Sequence, residues 1–222
     1  MLSDVTTFAL WRHAFEFAEM RLVGVVTLAV AAALLWLAPA FAAWVPAALA
    51  GVFAWGASEY TFHRYVLHMP RPMMERLRKL HARLHWKHHQ NPDEPRLLFV
   101  PLLAGVFLFV SYAAVGAAFA GVPAALGAAF GLGCALLHYE TTHLAAHVAY
   151  VPRTRWGRSM KRFHRLHHYK NEHYWFGVTH PWMDMLVGTA PDHHTVEKSS
   201  TARTLGIEPE DVDQRSLAAS TS

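Results

Sequence analysis

Four long apolar stretches, 22–38, 41–57, 97–120 and 122–137, alternate with polar, basic sequence along the chain. Each approaches the ~17–25 residues an α-helix needs to cross about 30 Å of hydrocarbon. The first pair is divided at Ala38-Pro39-Ala40 and the second at Gly121-Val122-Pro123, two proline turns without a charge. The pattern predicts an all-α integral membrane protein with four transmembrane helices in two hairpins. The second and fourth stretches are short and run directly into polar, histidine-bearing sequence. Residues 1–190 are expected to form a single membrane-embedded domain. Residues 191–222, rich in Ser, Thr and acidic residues, are expected to form a loosely ordered tail.

Charge gives the hairpins a direction. Segment 59–96 holds eight Lys and Arg, segment 150–198 holds another eight, and the two proline turns hold none. Hairpins put both basic segments on one side, which the positive-inside rule makes cytoplasmic. Only 16% of the 222 residues are charged and 53% are hydrophobic, so the net charge of +4 reads as contact with anionic lipid and not with nucleic acid. A single cysteine, Cys134, excludes an internal disulfide. Acidic residues among the first apolar positions (Asp4, Glu16, Glu19) speak against a signal peptide. The alanine-rich composition suits a bacterial inner-membrane protein.

Seventeen histidines change the picture from a membrane protein to a membrane metalloprotein. Fourteen of them fall between His63 and His180. They form His63-x4-His68, His85-x2-His88-His89, His143-x3-His147 and His164-x2-His167-His168. On a helix, positions i, i+3 and i+4 share a face, so each of the last three motifs can present its rings together. His63 and His68 lie about 140° apart on an ideal helix and need a distorted turn to meet. Imidazole suits iron, zinc and copper. Ten histidines exceed what one ion takes and match two ions. The ligands must be neutral, so metal loading is expected to fall as pH drops through about 6.5. His13, His193 and His194 read as polar surface residues, and His138 as either a buried hydrogen-bonding group or a metal neighbour.

These motifs, with Tyr139-Glu140-Thr-Thr-His143, Phe176-Gly-Val-Thr and Trp182-Met-Asp184 through Gly188-Thr189, resemble the fatty acid hydroxylase / sterol desaturase superfamily of membrane di-iron oxygenases. The chain is most similar to its fatty acid 2-hydroxylase branch over about 59–189. The resemblance implies a cytosolic helical cap holding a dinuclear site of two iron ions, with zinc possible in a purified sample. It implies ten ligands: His63, His68, His85, His88, His89, His143, His147, His164, His167 and His168. His81, Glu140, Tyr139, His173, Asn171 and His180 are candidates for residues around the ligands. Glu140, three residues before His143, is expected to accept a hydrogen bond from a ligand imidazole. Trp86 and the run Tyr174-Trp175-Phe176 are candidate walls of a substrate path.

The function implied is hydroxylation of an unactivated C–H bond in a lipid acyl chain. It would use dioxygen and electrons from a separate ferredoxin, haem protein or reductase. A carotenoid ring hydroxylase, a sterol oxidase and a desaturase share the metal chemistry and remain alternatives. A metal transporter is the alternative outside catalysis. It is disfavoured by apolar spans with histidines gathered at one side.

Overall fold

The fold is that of a computed structural model, which describes residues 6–38, 40–69 and 74–207, with side chains at 75–77 excepted. Pro39 of the first expected turn and residues 208–222 of the expected tail lie outside the described residues. A short helix α1 (Thr7–Ala14) is capped by Thr6, whose hydroxyl accepts the Ala9 N–H at 3.1 Å. It leads into α2 (Ala18–Leu37), apolar beyond Glu19 and Arg21 in its first turn. After a 3₁₀ turn at Phe41–Ala43, α3 (Val45–Thr61) starts with proline in its first turn, where the missing N–H costs nothing. No strand occurs among the described residues.

The third and fourth apolar stretches form α6 (Leu102–His147), which folds back on itself. Ala120 and Gly121 leave helical geometry, and Gly121 adopts φ 73°, a region that favours glycine. Pro123 follows. Leu108, Phe109 and Tyr112 of the first arm then pack beside Leu132 and Leu136 of the second. The second arm continues past the apolar stretch as far as His147, so His143 and His147 ride on its last two turns. It also packs tightly on α3. A β-carbon at Gly51 would stand 2.8 Å from the Ala128 carbonyl oxygen, and one at Gly131 would collide with Ala48. Small residues here bring two backbones together, as in helix pairs buried in lipid.

Large apolar side chains cover the outside of this bundle. Leu28, Leu35, Trp36, Phe53, Leu103 and Phe119 are all exposed, far more apolar surface than a soluble chain leaves open. Two helical stretches among the described residues are long and apolar enough to cross a membrane, Ala18–Leu37 and the 95–147 region containing both arms of α6. They mark a membrane protein.

One end of the bundle carries a cap of short elements. From α3 the chain enters a π-helical turn (Phe62–Leu67), then α4 (Glu75–His81), a second π-helical turn (Ala82–Trp86) and α5 (Lys87–Gln90). A 3₁₀ turn at Pro95–Leu97 returns it to α6. After α6, α7 (Arg155–Tyr169) and α8 (Trp182–Val187) complete the cap. Segment 191–207 differs from the loose tail expected of it: it lies across the cap. Ala202 is buried and Ile207 joins Ala82 and Trp86 in a small core. Side chains of Trp86, His89, Asn171 and Trp175 hydrogen-bond its carbonyls, and its polar composition carries no sign of these bonds.

Candidate metal centre

The ten histidines of the four motifs meet in the cap as two buried groups of five. One is His63, His68, His85, His89 and His167; the other is His88, His143, His147, His164 and His168. Each His-x-x-His-His motif therefore divides. Its i and i+4 rings serve one group and its i+3 ring serves the other. At 100° per residue, i+4 lies 40° to one side of i and i+3 lies 60° to the other. A helix passing between two centres offers one ring to the far side. Each group thus holds one spaced pair, the i,i+4 pair of one motif and the middle histidine of the other.

The pair His63 and His68 meets because the intervening turn is π-helical, with the His68 N–H bonded to the His63 carbonyl at 3.1 Å. An i→i+5 turn brings residues five apart onto one face, and such turns recur at functional sites. The other spaced pair, His143 and His147, needs no distortion at i,i+4.

Ring nitrogens converge within each group. In the first, Nε2 of His85 is 3.1 Å from that of His63 and 2.9 Å from that of His68, which is 3.1 Å from that of His167. In the second, Nε2 of His88 is 3.1 Å from those of His143 and His168, and Nε2 of His147 is 2.9 Å from that of His164. Nδ1–H of His63, His167, His89 and His143 donates to the carbonyls of Phe176, Tyr174, Ala202 and Leu98. With Nδ1 protonated, a neutral ring presents a bare lone pair at Nε2. Facing lone pairs repel unless a cation lies between them. At metal–nitrogen distances of about 2.0–2.1 Å, neighbouring ligands of a six-coordinate ion would stand roughly 3 Å apart. His89 Nε2 is buried without a protein partner. Donor type, spacing and orphaned nitrogen all suit a dinuclear metal site. Burial also keeps the rings neutral, lowering His63 to about 4 and His89 to about 3 and holding His85, His88, His167 and His168 well below the usual histidine value.

Two carboxylates that the motifs did not single out as site residues hold the loop that supplies two of these carbonyls. Glu59, buried at the end of α3, accepts the backbone N–H groups of Val178 and Thr179 and the Thr179 hydroxyl. Asp184 accepts the Phe176 and Gly177 N–H groups, both at 2.8 Å, and the Thr189 hydroxyl at 2.8 Å. Together they fix the loop whose Phe176 and Tyr174 carbonyls orient His63 and His167. A lone acid closing an apolar span was the signal available for Glu59.

The remaining candidates fall in varied places. His81 bonds the Leu67 carbonyl at 2.7 Å and so braces the π-turn next to His68. Tyr139 lies beside His143, with ring centroids 5.5 Å apart. Glu140 accepts the Val100 N–H at 2.9 Å and bonds no ligand ring, which corrects the role expected of it. It instead ties down the segment whose Leu98 carbonyl orients His143. Asn171 bonds the Glu197 carbonyl and the His173 N–H, while the His173 ring is exposed beside Glu172. His180 bonds Thr179 and stands 6.1 Å from His138, outside both groups. His193 packs against Arg162 on the surface.

A cavity of about 130 Å³ opens from both groups. His63 and His85 border it from the first group, His88 and His143 from the second. Its outer wall is apolar, with Trp55, Phe62, Phe99, Phe107 and Leu108, and Tyr139 stands at the histidine end. The expected aromatics do not form this wall. Trp175 and Phe176 are buried behind the first group, and Trp86 donates to the Thr204 carbonyl.

A sequence profile for the family described as Fatty acid hydroxylase matches residues 48–189. The chain belongs to the fatty acid hydroxylase family. It is 30% identical over 149 residues to a dihydroceramide fatty acyl 2-hydroxylase of Arabidopsis thaliana, covering 66% of this chain and 61% of that one. It is 34% identical to a ceramide very long chain fatty acid hydroxylase of Saccharomyces cerevisiae, covering 63% of this chain and 36% of that one. It is 31% identical to the fatty acid 2-hydroxylase of Homo sapiens, covering 58% and 35%. A solved structure of full-length scs7p, in which only the hydroxylase domain is visible, superposes with a TM-score of 0.67 at 27% identity, covering 79% of this chain and 66% of that one. The chain thus spans between about a third and three fifths of the length of these curated relatives. All ten histidines, Glu59 and Asp184 fall within the family-matched residues; segment 191–207 lies beyond them.

Proposed function

We propose that the protein hydroxylates the acyl chain of a fatty acid or complex lipid at a di-iron centre held by the ten histidines. One observation carries this reading: a narrow apolar cavity ends at two buried groups of five imidazoles. The balance is one C–H bond, dioxygen, two electrons and two protons going to one C–OH and one water. Bound iron supplies the dioxygen activation. The chain's own residues do the rest. Trp55, Phe99 and Phe107 take the alkyl chain from the bilayer and exclude water. Tyr139 bounds the position of the reacting carbon beside His143. Glu59 and Asp184 hold the loop that aims His63 and His167.

The two basic segments belong to the cap end, which supports four spans with the metals at the cytoplasmic face. A second groove of about 410 Å³ lies on the far side of α7, lined by Arg158, Lys161, Arg162, Arg165 and Lys170 with no acidic residue. It suits an acidic electron carrier, with only α7 between the groove and the second histidine group. Reduction by such a carrier is expected to slow steeply with added salt, while reduction by dithionite is not.

The test is expression in a lipid-producing host under isotopically labelled dioxygen. Acyl lipids are expected to carry one labelled oxygen atom. Label confined to carotenoids or sterols, or found in no lipid at all, overturns the reading.

A further inference from the structure

We infer that residues 199–204, beyond the family-matched span, form a strap that positions His89 in the first histidine group, with Arg203 as its positioning residue. The strap grips His89 at both ends. The Ala202 carbonyl accepts the ring Nδ1–H at 2.8 Å. Arg203 donates from Nε to the His89 carbonyl at 2.9 Å and from Nη2 to the Gln90 carbonyl at 2.6 Å. One turn earlier, Trp86 Nε1 donates to the Thr204 carbonyl at 2.8 Å.

The local structure explains why His89 needs this help. Helix α5 ends at Gln90 after four residues, so its last carbonyls have no following turn to bond them. A guanidinium satisfies two such carbonyls at once and suits the negative end of a helix. The other end of the strap is tied to the segment after α7. The Ser199 N–H bonds the Lys170 carbonyl at 2.8 Å, and the Thr201 hydroxyl bonds Glu172 at 2.5 Å. The strap therefore spans the two helices bearing the His-x-x-His-His motifs. It fixes the His89 tautomer so that Nε2, buried and without a protein partner, faces the first group. Among the four rings with an anchoring carbonyl, only His89 takes it from outside residues 48–189.

This inference rests on the reading that the first group holds a metal ion. The experiment uses the full chain in detergent, stripped of metal and titrated anaerobically with cobalt(II), with visible absorption and chelator competition as readouts. Wild type is expected to bind about two ions. Arg203→Ala is expected to leave one ion at wild-type affinity and weaken the other by roughly 10–100-fold, with a changed absorption band for the weakened ion alone. Arg203→Lys should restore part of that affinity. Trp86→Phe should shift it in the same direction by less, and these two variants carry the test if Arg203→Ala fails to fold. Equal weakening of both ions, or no weakening of either, overturns the strap as a positioning element. Wild type binding no cobalt overturns the metal reading beneath it. Two ions with no lipid product would overturn the hydroxylase reading alone.

Discussion

In the first histidine group, three rings (His63, His89 and His167) donate Nδ1–H to backbone carbonyls of loops, two of them more than a hundred residues away in sequence. In the second, His143 alone does so, and Nδ1 of His88, His147, His164 and His168 is buried with no partner in the protein. Both groups pack ring against ring, and the second relies on that packing and on the helices that carry it. Its rings come from α5, α6 and α7, and His88–His168 and His147–His164 meet edge to face at 4.5 and 4.9 Å. The same side chain is thus fixed in two ways: by directed hydrogen bonds from loops in one group, by helix packing in the other. The first should respond to changes in distant loop anchors, and the second to changes in the helices.

The largest expected effect tests the division of the motifs. His88→Ala and His167→Ala each remove a middle histidine, and each should abolish product and leave about one ion per chain in place of about two. The ion lost should belong to the second group in His88→Ala and to the first in His167→Ala. Loss of the same ion in both, followed by chelator competition, would break the division.

Next comes Asp184→Asn. It turns an acceptor toward two buried N–H groups into a partial donor, costing about 1–3 kcal/mol of stability. Metal affinity should fall roughly 10–100-fold in the first group only. Metal analysis after graded chelation distinguishes this from a general loss.

A pH series treats the groups alike and so gauges what they share. His63 at about 4 and His89 at about 3 in the first group, and His143 at about 3 in the second, lie below the unfolded value of 6.5 because they are buried. Their folded forms stay neutral while unfolded chain takes up protons. This contribution is fully present above pH 6.5 and is lost as pH falls toward 4 and 3, by up to about 1.4 kcal/mol per pH unit for each ring. Unfolding of the metal-free protein between pH 7.5 and 5 reads the slope. A flat profile would mean the rings are hydrated.

The smallest effect concerns the cavity that both groups share. Ala104 lines its outer part. Ala104→Phe should raise KM roughly tenfold for a long acyl chain while changing kcat less, with both ions retained. A kinetic series over chain length separates this from metal loss.

Much of the site was legible because histidine at helical spacing is a strong signal. His143 and His147 needed only an α-helix to meet, and the structure supplies one. His63 and His68 pointed to a distorted turn, and the π-helical turn provides it. The anchors were hidden. Glu59 and Asp184 are single acids whose partners, Val178 and Phe176, lie far away or contribute only backbone N–H groups, which have no sequence signature. Arg203 resembled any basic residue in a polar tail.

The sequence by itself determined the apolar spans, their breaks, the basic ends and the rings that can gather. These follow from local periodicity, charge and residue type. Only the tertiary structure decided which ring joins which group, which carbonyl sets each tautomer and how 191–207 lies on the cap. Those depend on the distances between helices and on backbone hydrogen bonds across more than a hundred residues, as from His89 to Ala202, and no local pattern along the chain encodes them.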